Sequence, residues 1–187
     1  MQITNLKLLN FRNYDKLELK FSNNNIIYGK NGEGKTNLVE AIYVLALTKT
    51  FRSSNEKIII KNGCDFTRII GNVKDDISNN YELLINNNGK SVKINGNSYH
   101  KLSDYISNLK VIIFNPNDLQ IIKDAPSVRR KLINISISEI DNNYLNLLSD
   151  YNKILKQRNS YLKTMYLNSN ASNEYLDILT DKLIDIG

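Results

Sequence analysis

Eight residues, Gly29-Lys30-Asn31-Gly32-Glu33-Gly34-Lys35-Thr36, restrict what this chain can fold into more than any other stretch. They fit the spacing G-x-x-x-x-G-K-[ST], a loop whose glycines turn the backbone tightly and bring its N–H groups against phosphate oxygens. In such a loop Lys35 reaches the β- and γ-phosphates, and the Thr36 hydroxyl takes Mg²⁺. A helix leaving the loop points the positive end of its dipole at the same anion. The flanks suit this reading. Asn25-Ile26-Ile27-Tyr28 is a short apolar run of strand type, and Leu38, Ala41, Ile42 and Leu45 recur at helical spacing. The plainer alternative, an ordinary glycine-rich turn between strand and helix, is disfavoured by that context. The expectation is a bound nucleoside triphosphate with Mg²⁺.

Composition sets the outer limits. A chain of 187 residues makes one domain, or one domain with an appended arm, and is long enough to bury a core without staples. A hydrophobic content of 41% and a charged content of 24% are those of a soluble globular protein. The net charge of +6 gives mild support for an anionic partner beyond the nucleotide, such as nucleic acid. Cys64 is the single cysteine, which rules out an internal disulfide and a cysteine metal cluster and fits a reducing cytoplasm. His100, the single histidine, lacks ligand-spaced partners and reads as a surface or turn residue. No apolar segment is long enough to span a membrane, and the N-terminus lacks a signal-peptide core.

Along the chain, Ile3, Leu6 and Leu8 begin one strand, and Leu17, Leu19 and Phe21 alternate in a second. Asn25–Tyr28 would be a third, delivering the loop. A meander of short strands follows at Lys57–Lys61, Phe66–Lys74, Tyr81–Asn86 and Ser91–Ile94, punctuated by Asn62-Gly63, Asp75-Asp76, Asn88-Gly89 and Asn95-Gly96. Lys110–Phe114 reads as a buried strand. The last third is helical. Pro126 opens a helix running from Val128 to Ile140, and Tyr144, Leu148, Tyr151, Leu155, Leu162 and Met165 mark a long helix with one apolar stripe. Leu176, Leu179 and Leu183 mark a shorter partner, and the two suggest a helical hairpin. The division expected is a nucleotide-binding lobe over residues 1–123 and a helical lobe over 124–187.

Several further blocks, in order, carry a resemblance. Asn10-Phe11-Arg12-Asn13-Tyr14, the loop itself, Asn37-Leu38-Val39-Glu40-Ala41-Ile42-Tyr43 and Lys49-Thr50-Phe51-Arg52 are followed by Phe114-Asn115-Pro116-Asn117-Asp118-Leu119, Pro126-Ser127-Val128-Arg129-Arg130 and Tyr151–Asn159. Together they resemble the N-terminal half of the RecF family, recombination and gap-repair ATPases of bacteria. The resemblance implies an α/β fold, the ABC-type P-loop ATPase head related to Rad50 and SMC proteins. Such a head has a mixed sheet with an antiparallel β subdomain plus a helical arm. It also implies ATP with Mg²⁺ as cofactors, an ATP-dependent homodimer, DNA as a partner, and work with RecO and RecR to direct RecA onto gapped DNA in the cytoplasm. The signature motif, Walker B pair and switch histidine of such heads are not visible here and in the family lie further towards the C-terminus. The expectation is therefore that Gly187 ends the ATP-binding half of a longer head, and that this half alone does not hydrolyse ATP.

By the same resemblance, the ATP-contacting set is Gly29, Lys30, Asn31, Gly32, Glu33, Gly34, Lys35, Thr36 and Asn37, with Arg12 and Asn13 approaching the nucleotide. Arg12 and Asn13 would otherwise be a solvated turn anchored by Phe11. Asp118 would cap a short helix or sit near Mg²⁺. The water-positioning role stays unassigned between Asn115 and the weaker candidate Gln120. For DNA, Arg129, Arg130 and Lys131 form a compact basic run. Lys153, Lys156, Arg158 and Lys163 are interleaved with Tyr151, Tyr161 and Tyr166 along the long helix. The bland reading of each is a solvated helix face balanced by Asp141 and Asp150. Two other functions fit a P-loop: a small-molecule kinase, disfavoured by antiparallel hairpins where kinases continue with parallel βαβ units, and a non-catalytic nucleotide-binding lobe.

Overall fold

Burial alternates residue by residue along the strands, and that alternation builds the sheet. In β3, Phe66–Lys74, the residues Thr67, Ile69, Gly71 and Val73 point inward while Arg68 and Lys74 point to solvent. This computed structural model describes residues 1–53, 55–114, 126–167 and 172–187. Six strands, β1 (Gln2–Phe11), β2 (Tyr14–Lys20), β3, β4 (Ser78–Asn86), β5 (Gly89–Ile94) and β6 (Asn97–Tyr99), pair in the order β2-β1-β3-β4-β5-β6. Every pairing in that sheet is antiparallel. Helix α1 (Lys35–Leu47) enters between β2 and β3 in sequence and packs its apolar side on the inner face. Leu38, Ala41, Val44 and Leu45 of α1 join Leu6, Leu8, Ile69, Leu83, Ile85 and Val92 in the core. Each such Leu, Ile or Val contributes about 1.5–3 kcal/mol when fully buried. A short helix, α2 (Leu102–Ile106), closes the same core with Tyr105, whose hydroxyl donates to the Leu45 carbonyl at 2.7 Å.

The chain forms two compact units, Met1–Ala125 and Pro126–Gly187. The second holds α3 (Pro126–Ser138), α4 (Asn142–Leu167) and α5 (Asn173–Ile186). The Asp141 carboxylate accepts the Asn143 N–H at 2.8 Å and starts α4, and the Ser172 hydroxyl does the same for α5 through Glu174. Tyr161 stacks edge-on with Tyr175, Arg158 meets Thr180, and Tyr151 lies beside Gly187. Those contacts run in opposite directions along the two helices, so α4 and α5 form an antiparallel hairpin. Leu179 is its most buried side chain.

Three sequence expectations change. Asn25–Tyr28 is not a strand: residues 25–30 join no strand ladder among the described residues, and Ile26 and Tyr28 are each 90% exposed. Lys110–Phe114 is likewise neither strand nor buried, with Ile112 at 93% exposure. Both runs are apolar enough for a strand covered on both faces, but such a strand forms only between neighbours, and the described residues supply none. Lys57–Lys61 is instead a single 3-10 turn over Glu56–Ile59, capped by the Asn55 side chain, with Ile60 bridging to Phe11. The antiparallel β subdomain and the helical arm of the expected α/β head are both present among the described residues. At Asn95-Gly96 both residues have positive φ, 52° and 83°, as the sequence required for that hairpin. Asn88-Gly89 is offset by one: Asn87 and Asn88 make the tip and Gly89 opens β5. β6 is the return strand of the Asn95-Gly96 hairpin, and α2 had no counterpart among the sequence expectations.

Candidate nucleotide site

Gly34 is where the loop becomes the helix, and its backbone allows no other residue type without strain. Its φ is 105°, and a Cβ built there would lie 2.7 Å from the Tyr14 hydroxyl and 2.8 Å from Asn13 Nδ2. Those two side chains, from the β1–β2 turn and the first residue of β2, hold the loop from outside. The Tyr14 hydroxyl donates to the Gly34 carbonyl at 3.1 Å and Asn13 Nδ2 to the Glu33 carbonyl at 3.2 Å. Burial raises the Tyr14 pKa above its ordinary value, which keeps the phenol a neutral donor. No side chain caps α1. The N–H groups of its first turn therefore stay available to an anion.

Lys35 closes the loop from inside. Its ammonium donates to the Gly29 carbonyl at 2.7 Å and to the Lys30 carbonyl at 2.6 Å, so the cation sits across the mouth of the turn with one N–H still to give. The Glu33 carboxylate accepts the Lys30 N–H at 2.8 Å. Thr36 is exposed at the head of α1, and Gly32 has open space where a side chain would begin. A loop with a glycine-only helix entry, a cation across its mouth and an exposed hydroxyl fits a phosphate with its Mg²⁺. Lys35 and the loop N–H groups would hold the phosphates, and Thr36 would be the protein's ligand to the metal.

Arg12 and Asn13 do flank this loop, but in different ways. Asn13 touches it directly. Arg12 turns to the side of α1, where its Nε and Nη2 donate to the two carboxylate oxygens of Glu40 at 3.0 and 2.7 Å. Glu40 has no exposed surface, and it also accepts from Thr50 and pairs with Arg52 at 3.5 Å. Arg52 in turn donates to Asn37 Oδ1 at 2.8 Å, and Asn37 Nδ2 donates to Asn13 Oδ1 at 2.8 Å. The sequence reading gave no role to Tyr14, Glu40, Thr50 or Arg52. One signal was present: Glu40 is an acidic residue inside the otherwise apolar run Leu38–Leu47. Asn115, Asp118 and Gln120 lie outside the described residues.

On the helical unit, Arg129, Arg130 and Lys131 are exposed on α3. Lys156 and Lys163 are exposed on α4 and line a shallow groove with Asn152, Asn159 and Ser160. Lys153 is exposed too. Arg158 is different: it is half-buried in the hairpin seam and its Nε donates to Thr180 at 3.0 Å. Leu162, which belongs to the apolar stripe of the sequence, is instead exposed. Among the described residues no cluster of His, Cys, Asp or Glu could hold a metal ion, and no helix is long and apolar enough to cross a membrane.

The sequence pattern of the AAA domain family matches residues 5–186. The chain belongs to that family. It is also a homologue of the N-terminal half of RecF. It is 43% identical over 188 residues to the DNA replication and repair protein RecF of Bacillus subtilis (strain 168), covering 100% of this chain and 51% of that one. With the protein of the same name from Oceanobacillus iheyensis the identity is 41% over 187 residues, covering 99% and 51%. Two solved structures of the recombination mediator protein RecF in the RecFOR pathway superpose on it. The one with ATPrS gives a TM-score of 0.94 at 36% identity, covering 100% of this chain and 51% of that one. The one with ATP gives 0.91 at 36% identity, covering 99% and 50%. The chain thus spans about half the length of the relatives it matches.

Proposed function

We propose that this chain is the ATP-binding half of a RecF-type DNA-repair ATPase. Its Gly29–Thr36 loop holds Mg·ATP, with Asn37 and Asn13 at the loop's edge. Lys35 neutralises phosphate charge and Thr36 supplies the metal's protein ligand. The observation that carries the reading is the Lys35 ammonium drawn across the loop mouth by the Gly29 and Lys30 carbonyls at the uncapped start of α1. The solved RecF relatives with ATP and ATPrS support the choice of nucleotide. The antiparallel meander after α1 speaks against the kinase alternative.

Arg129, Arg130, Lys131, Lys156 and Lys163 would meet DNA phosphates. In the complete protein, an ATP-dependent homodimer would clamp DNA and act in the cytoplasm with RecO and RecR to direct RecA. This half binds ATP without turning it over. Isothermal titration of the chain with Mg·ATP, for the unaltered protein and Lys35→Ala, tests the reading. Binding by the first and its loss in the second are expected; equal binding by both would sink it.

A further inference from the structure

We infer that Glu40 is the positioning residue of the phosphate loop: it anchors a closed ring of side chains that fixes the end of the loop from behind. The inference rests on the proposed nucleotide reading and deepens it.

The ring runs through five side chains. Glu40 takes both Arg12 contacts on one side and Arg52 on the other. Arg52 donates to Asn37, Asn37 donates to Asn13, and Asn13 is covalently next to Arg12. From that last member Asn13 Nδ2 reaches the Glu33 carbonyl, one peptide before Gly34. The ring thus ties three segments that are distant in sequence, the β1–β2 turn, the first two turns of α1 and the chain just after α1, to one point of the loop.

Two independent observations mark the ring as more than packing. Glu40 is fully buried, and a buried carboxylate is costly unless it is paired and hydrogen-bonded. It accepts three hydrogen bonds, from Arg12 Nη2 and the Thr50 hydroxyl on Oε1 and from Arg12 Nε on Oε2, and forms an ion pair with Arg52 Nη1 through Oε2. An apolar residue would fill the site at less cost, so the charge serves geometry. Arg12 is also held in the left-handed region at φ 54°, with its N–H given to the Ile59 carbonyl at 2.7 Å and its Nη1 to the Ile58 carbonyl at 3.1 Å. A non-glycine residue stays there only where its surroundings over-determine it. Here they do so from backbone and side chain together.

A carboxamide at position 40 is uncharged and has one oxygen; in either orientation its N–H groups replace an oxygen that accepts from the Arg12 guanidinium. Glu40→Gln therefore breaks the paired Arg12 contact of the ring and removes its charge without changing the volume. Isothermal titration with Mg·ATP on the whole chain is the test. Glu40→Gln and Arg12→Lys should each weaken binding by about tenfold, the equivalent of one charge-assisted hydrogen bond. Because both cut the same ring, the double variant should be no weaker than the poorer single. Ile85→Val, in the sheet core away from the ring, should lower the melting temperature and leave affinity unchanged.

Unchanged or tighter binding in the two singles, additive losses in the double, or an equal loss in Ile85→Val would overturn the inference. Should Glu40→Gln not fold, Arg12→Lys and Asn37→Ala carry the test, and unchanged affinity in both overturns it. Lys35→Ala separates the two levels. Loss at Lys35 without loss at Glu40 removes the inference alone; binding indifferent to Lys35 removes the nucleotide reading and the inference with it.

Discussion

Leu45 of α1 and Gly71 of β3 lie so close that a Cβ built on Gly71 would come within 2.5 Å of Leu45 Cδ2. The sheet thereby meets the loop helix at a point with no room for a side chain. Leu45 has no exposed surface, so its methyl cannot swing to solvent.

Gly71→Ala should therefore destabilise the first unit by about 1–3 kcal/mol, the usual range for overpacking a filled core. Urea unfolding followed by circular dichroism measures it. A variant as stable as the parent would mean that Leu45 has a second rotamer to use. The effect on nucleotide affinity should be small beside the effect on stability, because the contact lies near the far end of α1 from the loop.

Gly34→Ala should do the reverse. The methyl would force both a left-handed alanine and a collision with the Tyr14 hydroxyl and Asn13 amide. Strain of that kind costs about 1–3 kcal/mol. It falls on the residue that joins loop to helix, so the loss should appear chiefly in Mg·ATP binding by titration calorimetry. Retained affinity would show that the loop tolerates a shifted helix entry.

The strength of the sequence signal differed by element for physical reasons. Phe66–Lys74 was legible because a β-rich run is bounded on both sides by turn residues, Asn62-Gly63 and Asp75-Asp76. Asn95-Gly96 was legible because so few residue pairs accept positive φ. Asn25–Tyr28 and Lys110–Phe114 misled because an apolar run reports a demand for burial, and the partners that would meet the demand are written elsewhere. The loop was legible from spacing alone. Glu40 was not, since its role depends on Arg12, Arg52 and Thr50 converging on it, and nothing in linear spacing records that. Arg158 shows the same limit: its sequence neighbours suggest a basic face, while the helix phase turns it towards Thr180.

Tyr105 should make the first unit sensitive to alkali. Burial raises its pKa well above the ordinary value of about 10, and the buried Tyr81 is shifted the same way. Above about pH 10 the unfolded chain releases the phenol proton while the folded chain keeps it. The folded state then binds more protons, and stability falls as pH rises. The slope is at most about 1.4 kcal/mol per pH unit for each such tyrosine. Below that pH the contribution is fully present. Tyr105→Phe should reduce the slope between pH 10 and 11.5 in urea titrations. It should also cost about 0.5–1.5 kcal/mol at neutral pH through the lost bond to the Leu45 carbonyl. An unchanged slope would mean that the phenol ionises in the fold as freely as in the unfolded chain.

The basic residues of the helical unit should divide into two groups when DNA binding is measured against salt. Lys156 and Lys163 project from one exposed face of α4, about two helical turns apart, with polar Asn152, Asn159 and Ser160 between and beside them. Each phosphate contact contributes roughly −0.9 to the slope of log K against log salt on duplex DNA. Lys156→Gln and Lys163→Gln should therefore each flatten that slope by about one contact, with little change in melting temperature. Arg158→Gln should instead loosen the α4–α5 hairpin, because its guanidinium is engaged with Thr180 in the seam. Its signature is a lower melting temperature at an unaltered slope. Fluorescence anisotropy of labelled duplex between 50 and 200 mM salt, the range over which such contacts are most sensitive, reads the slopes. If the lysine variants keep the parent slope and Arg158→Gln loses it, the phosphate-facing side of the hairpin is the seam edge and not the Lys156–Lys163 face.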